Sequence, residues 1–312
     1  MATVLAILCS ARRNGYTAGV LSAAAEGADS VGSVRVHLVH LHDFDFGPCK
    51  SCFACIRDEN HVCAQSDAFG RGGELFRRLS EANGLLIGDP VHNWGPSAAC
   101  HLLIERCYPF LWSGRLNGLP FASISCASNQ GMHRLANRWI CKWAFGYGMR
   151  YIGGVPAHTA YLERAKREAR ALGERLGRAA LEDEASGRRA MTDEQRFLTY
   201  MDSPWPALDP YLDNLTHGTM AWEGSMVKEA LDAGAFTRPE ARELLSEAGR
   251  LLVETLQARA NGDLVEANKL LVKCSAHWTN ATWKEFLEQD VIGAKQPEAY
   301  RPLSRDAQAG ED

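Results

Sequence analysis

Through the first 185 residues, short apolar runs alternate with longer stretches whose apolar positions recur at helical spacing. Residues 3–9, TVLAILC, form a continuous apolar run, followed by the polar SARRNGYT and the Ala-rich AGVLSAAAEGA. This pattern predicts a buried parallel strand, a polar turn and a helix start. VRVHLVHL at 34–41 alternates as a second strand would. A helix is predicted at 69–82 once past its glycines, and LLIG within NGLLIGDPVHNWGPS predicts a third strand. Residues 89–96 form a turn rich in Pro and Gly, ahead of a helix over 97–111. PFASISC at 120–126 predicts a fourth strand, broken by ASNQGMH and followed by the aromatic helix LANRWICKWAFGYG. MRYIGGV at 149–155 predicts a fifth, and an amphipathic charged helix over 161–184 leads to a boundary near 189. Five strands alternating with helices specify an α/β fold, a doubly wound five-stranded parallel sheet with ligands at the carboxyl ends of its strands.

The pattern changes after residue 190. Residues 191–215 carry Pro204, Pro206 and Pro210 among apolar residues, which predicts a packed but non-helical segment. Helices follow at 226–233, at 238–261 with Pro239 at the start, and at 264–287. The expectation is a domain over residues 1–189, with an inserted loop at 47–63, and a mainly helical C-terminal extension over 190–312. Leu244, Leu245, Leu251, Leu252 and Leu256 form one apolar stripe, to be buried against the sheet domain or a second subunit. Trp205, Trp222, Trp278 and Trp283 read as packing residues or as a lid. The C-terminal PLSRDAQAGED reads as frayed.

Composition narrows the function classes. The chain has 312 residues, 46% of them hydrophobic and 23% charged, with a formal net charge of -4. There is no basic excess of the kind that favours nucleic acid or an anionic membrane, so neither is an expected partner. No stretch reaches the roughly 18 apolar residues of a transmembrane span, and the N-terminus carries no cation ahead of its apolar run, against a signal peptide. Ten cysteines in a chain too large to need staples suggest a reducing, cytoplasmic setting.

Two stretches carry candidate chemistry. GPCKSCFACIRDENHVC places Cys49, Cys52, Cys55 and Cys63 in a C-x2-C-x2-C-x7-C spacing within a polar loop that has no apolar face to fill. A loop giving three thiolates at C-x2-C-x2-C, with a fourth nearby, suits a 4Fe-4S cluster. Structural zinc more often uses two C-x2-C knuckles further apart, and unligated or disulfide-bonded cysteines are the remaining reading. The first strand-to-helix turn directs N–H groups and a positive dipole end at its contents, and Ser10, Arg12, Asn14 and Thr17 add donors suited to a phosphomonoester. Neither G-x-x-x-x-G-K-[ST] nor G-x-G-x-x-G is present. His37, His40 and His42 lie along a strand and its exit and read as hydrogen-bonded or solvated. Cys100 and Cys107, seven apart on one predicted helix face, read as small core residues.

SARRNGYT resembles the GSPRKNGNT of the flavodoxin-like NAD(P)H-dependent FMN reductases, and DPVHNWGPSA resembles their SPVYWGSVSA. The compact cysteine cluster between them is similar to that of the iron-sulfur flavoproteins within this group. Cys9, Ala11, Tyr16 and Asn93 depart from the pattern. The resemblance covers about residues 1–185. It implies a flavodoxin-like fold, with the FMN phosphate held by Ser10, Arg12, Asn14 and Thr17. It implies further that Pro90, Val91, Asn93, Trp94 and Gly95 border the isoalloxazine ring, with Ser128, Asn129 and Gly131 at its polar edge. The implied function is a flavin-dependent oxidoreductase passing electrons among a carrier, NAD(P)H or ferredoxin, a 4Fe-4S cluster and FMN to reduce a small-molecule acceptor. No catalytic nucleophile is required, and His92 and His133 are the candidate proton donors. A homodimer or homotetramer is expected. Two alternatives stand beside this: an NAD(P)H-dependent FMN or quinone reductase whose cysteines are structural, and a non-catalytic redox sensor or electron-carrier subunit.

Overall fold

The computed structural model describes residues 1–291, so the C-terminal PLSRDAQAGED lies outside the described residues. The chain divides into two compact units. The first takes in Met1–Gly47 and Val62–Pro206; the second takes in Pro48–His61 and the described residues from Ala207 to Val291.

In the first unit the apolar runs form strands β1 (Ala2–Leu8), β2 (Val34–His40), β3 (Gly84–His92), β4 (Pro120–Ala127) and β5 (Arg150–His158). They pair in parallel in the order β2-β1-β3-β4-β5. This is the flavodoxin-like order, with the direction of winding reversing between β1 and β3. Burial follows position: β4 is buried at every residue, whereas the outer strands β2 and β5 are partly exposed. That difference explains why the inner strands are mostly apolar and β2 alternates.

The connecting helices are α1 (Tyr16–Asp29), α2 (Glu74–Glu81), α3 (Ala98–Arg106), α4 (His133–Gly146) and α5 (Leu162–Ser186). The single helix expected over 97–111 is two: α3 stops at Arg106, and a short helix, Tyr108–Ser113, restarts with Pro109 in its first turn. Proline has no N–H to continue the helical ladder and is tolerated at a helix start. α1 and α5 cover one sheet face and share its core with Val4, Leu86 and Ile124. They approach through glycine, because a Cβ on Gly27 would lie 2.0 Å from the Arg170 carbonyl oxygen and one on Gly173 would lie 1.8 Å from that of Ala24.

The unit runs on past residue 189 because the next segment is packed on α4 and on the residue that leads into β5. Phe145 meets Phe197, Tyr200 and Trp205 at 4.9, 5.2 and 5.0 Å between ring centroids. The Tyr200 hydroxyl donates to the Met149 carbonyl at 2.6 Å. The segment is also more helical than expected, with helices at Asp193–Thr199 and Leu208–Leu215. Thr192 caps the first through a capping box with Gln195, and Pro210 falls in the first turn of the second, where it breaks no ladder.

The second unit is built on α6 (Pro239–Ala260) and α7 (Leu264–Thr282). Leu245, Leu251 and Leu252 of the expected stripe are buried. Trp278 packs on Phe236 at 6.1 Å, and Trp222 closes over Gly249 of α6. The helix expected to run unbroken to 287 changes at Trp283 to a π-helical turn, Trp283–Leu287. No helix among the described residues is long and apolar enough to cross a membrane.

The α1–α5 contact gives a direct test. Gly173→Ala should lower the unfolding free energy by about 2 kcal/mol in urea titration, as overpacking does. Gly146→Ala, whose methyl meets nothing within 4 Å, should cost nothing; equal costs would contradict this packing.

Candidate functional site

Three turns meet at the carboxyl edge of the sheet. The first follows β1. Ser10 and Thr17 are buried there, while Arg12 and Asn14 are exposed. The Ser10 Oγ accepts from the Arg12 N–H at 3.2 Å, and Gly15 caps α1 in extended conformation. The carbonyls of this loop are tied from behind: His40 Nε2 lies 2.6 Å from the Ser10 oxygen and His42 Nε2 lies 3.3 Å from that of Cys9. His37 Nδ1 meets Arg78 Nη1 at 3.3 Å, so all three strand histidines are hydrogen-bonded. With the carbonyls engaged, the first N–H groups of α1, which have no partner within the helix, are the loop's unspent polar capacity.

The second turn is a two-residue hairpin. The end of β3 folds back on Gly95–Pro96, with Val91 opposite Pro96 and His92 opposite Gly95. Asn93 and Trp94 fill the tip at φ 48° and 68°. A tight hairpin of this kind requires both central residues to be left-handed, which asparagine tolerates and tryptophan does not favour. Such strain persists where surrounding bonds hold it, and it concentrates at functional sites. Asp89 supplies that hold. Fully buried, it accepts the Ser97 N–H at 2.9 Å and the Ser97 hydroxyl at 2.6 Å, and Ser97 caps α3 by accepting from the Cys100 N–H. Burial pushes the Asp89 carboxyl up to about 7.

The third turn, after β4, carries Ser128, Asn129, Gln130 and Gly131, and the Trp94 indole N–H donates to Gln130 Oε1 at 3.1 Å. Beside it the Tyr161 hydroxyl and His133 Nε2 are 2.8 Å apart. Burial, with the neighbouring His158 and Arg134, lowers the His133 pKa and so favours the neutral ring at pH 7.

Between these turns are two contiguous cavities. The first, about 180 Å³, is lined by Ser10, Arg12 and Thr17 together with Pro90, Val91 and Ser128. The second, about 210 Å³, is lined by Asn93, Trp94, Asn129 and Gly131, and both share Val91, Ala127 and Ser128. Ten of the twelve residues predicted for a flavin therefore converge. Asn14 and Gly95 line neither cavity. Gly15, Tyr16, His92, Cys126, Ala127 and Gln130 also line them, and their signal was adjacency to the predicted residues in the same three turns.

In the cysteine loop, Cys49, Cys52 and Cys55 belong to the second unit and Cys63 to the first. The loop forms one helical turn, Ala54–Arg57, and Ser51, Phe53 and His61 are left-handed at φ 47°, 52° and 50°. The Ser51 N–H points at Cys49 Sγ, 3.4 Å away, and Arg57 donates to the Cys52 carbonyl at 3.0 Å. Cys63 Sγ accepts from Arg106 Nη2 at 3.6 Å. Among the described residues, one trio of ligand atoms lies within 4.8 Å: Cys9, Asp89 and Cys100, all buried. The hydrogen bond to Cys9 and burial raise the Cys100 thiol, so the two thiols of this trio are protonated core groups. Cys107 is fully buried as well.

The fold and its edge define a flavodoxin-like domain with a cleft suited to a phosphorylated planar ligand. The model of the NADPH-dependent FMN reductase family matches residues 2–161, half of the chain, and the chain belongs to that family. An iron-sulfur flavoprotein of Methanocaldococcus jannaschii is 28% identical over 106 residues, 34% of this chain and 52% of that protein. The chain thus matches about half the length of this curated relative. Among solved structures, a WrbA-like flavodoxin from Agrobacterium tumefaciens is 14% identical, with a TM-score of 0.41 over 58% of this chain and 99% of its own. An NADH:FMN oxidoreductase is 18% identical, with a TM-score of 0.43 over 61% and 95%.

Asp89 makes the site pH-sensitive. Its folded pKa lies above the unfolded value of 3.8, so between about pH 4 and 7 the folded chain retains a proton that the unfolded chain has lost, and stability falls as pH rises. Asp89→Asn should flatten that part of the thermal-stability profile; an unchanged slope would assign the dependence to other groups.

Proposed function

We propose that the protein is an FMN-dependent oxidoreductase in which Cys49, Cys52, Cys55 and Cys63 hold a 4Fe-4S cluster. The observation that carries the flavin half is the pair of contiguous cavities at the carboxyl ends of β1, β3 and β4. The donors fit FMN. Ser10, Thr17, Arg12 and the N–H groups opening α1 would hold the phosphate. Pro90, Val91, Asn93 and Trp94 would border the ring, and Ser128, Asn129 and Gly131 would face its polar edge. Asn14, in the phosphate turn, and Gly95, in the hairpin, complete the proposed set.

The cluster half is supported by the C-x2-C-x2-C-x7-C spacing and by a donor aimed at each of two sulfurs, the Ser51 N–H at Cys49 and Arg106 at Cys63. N–H···S bonds of this kind orient a ligand sulfur and tune the metal it holds. Structural zinc more often takes two C-x2-C knuckles further apart than this single loop supplies.

Together the two groups supply an exchange between one-electron and two-electron carriers. The chain's part is to hold them, to shape the approach of an NAD(P)H or ferredoxin donor and a small-molecule acceptor, and to keep a proton source at hand. His92 lines the first cavity, and the His133–Tyr161 pair stands beside the turn after β4.

Protein purified without oxygen should contain one FMN with about four irons and four sulfides. Cys52→Ser should lose most of the iron and keep the flavin. A yellow protein with full FMN and no iron would make it a flavin reductase with structural cysteines, and zinc without flavin would refute both halves.

A further inference from the structure

Arg106 ends α3, and its side chain is nearly sealed, with 2% of the residue exposed. A guanidinium keeps its charge in a protein, so burying one requires strong partners. Asp67 takes both arms, with Nη1–Oδ2 at 2.6 Å and Nη2–Oδ1 at 2.9 Å. Nη1 also donates to the Gly47 carbonyl at 2.6 Å, and the rings of Phe69 and Phe46 lie 5.6 and 6.0 Å from the guanidinium carbon. Nη2 also donates to Cys63 Sγ, at 3.6 Å.

Those partners are the two stems of the cysteine loop. Gly47 is the last residue before the chain leaves the first unit, and Cys63 follows directly on its return at Val62. One side chain therefore fixes where the loop begins and ends. It also places a positive charge against a sulfur that, as a neutral thiol, would be only a weak acceptor.

We infer that Arg106 is a positioning residue for the iron-sulfur cluster: it pins both stems of the loop and donates to the Cys63 ligand sulfur, raising the cluster's reduction potential. The inference rests on the cluster reading above. Its physical basis is that reduction adds negative charge to the cluster, which a nearby cation and an N–H···S bond stabilise more than they stabilise the oxidised form. Asp67 offsets part of the Arg106 charge and so restrains the effect. The helical segment offered no sign of this role, since an arginine closing a helix is ordinarily a surface residue stabilised by the dipole.

The test is a redox titration of the anaerobic holoprotein, following the cluster by electron paramagnetic resonance and the flavin by absorbance, with iron measured in every sample. Arg106→Gln should lower the cluster midpoint, and Asp67→Asn should raise it, each by more than it moves the flavin midpoint. Arg106→Lys, which keeps the charge and loses the two-armed fork, should fall between wild type and Arg106→Gln, and it decides the matter with Asp67→Asn if the glutamine variant does not fold. Clusters at full occupancy whose midpoints are unmoved, or move in the same direction in the Arg106 and Asp67 variants, would overturn the role of Arg106 and leave the cluster standing. Wild-type protein without iron would overturn both.

Discussion

The ladders of hydrogen bonds on either side of β1 are the constraint on which the first unit depends. β1 pairs with β2 on one side and β3 on the other, so the chain must wind outward in one direction and then cross back to wind in the other. The reversal separates the turns after β1 and β3 at the carboxyl edge and leaves a crevice between them. Parallel pairing also means that the turn after β4 emerges on the same edge. The site is thus a consequence of strand order before any side chain is considered. Close packing of α1 on α5 through Gly27 and Gly173 covers the sheet beneath that edge.

On this frame the polar residues act as fasteners. His40 and His42 reach the carbonyls behind the first turn from β2 and its exit, while Asp89 holds Ser97, and through it the start of α3, behind the strained Asn93–Trp94 tip. Both sets work from the interior outward. They immobilise backbone that would otherwise be free to relax, and they leave exposed the donors a phosphate or an aromatic ring would meet. Preorganisation of this sort is what allows a site made of loops to be specific.

Much of this was legible in the sequence. TVLAILC and PFASISC are buried strands because both faces of the sheet are covered, and their predominantly apolar character, without a charge, says so directly. Ten of the twelve expected flavin residues lie around the cavities because each turn follows its strand without a gap. What could not be read depends on pairing between distant residues. The hairpin at Asn93–Trp94 requires the register of β3 with Gly95–Pro96. The break at Arg106, which splits one expected helix in two, depends on Pro109 starting a new turn. Residues 191–215 looked too rich in proline for helices, yet Pro210 lies in a first turn, where the missing N–H costs nothing. Arg106 itself could not be singled out, because its partners Gly47, Cys63 and Asp67 are some forty to sixty residues away.

The most direct measurement compares FMN and riboflavin binding to flavin-free protein by quenching of flavin fluorescence. The two ligands share the ring and differ in the phosphate, so their ratio isolates the turn after β1. Charge-assisted hydrogen bonds from Ser10, Arg12, Thr17 and the start of α1 predict FMN tighter by at least about tenfold. Equal affinities, or no binding of either, would contradict the assignment of this edge to the flavin.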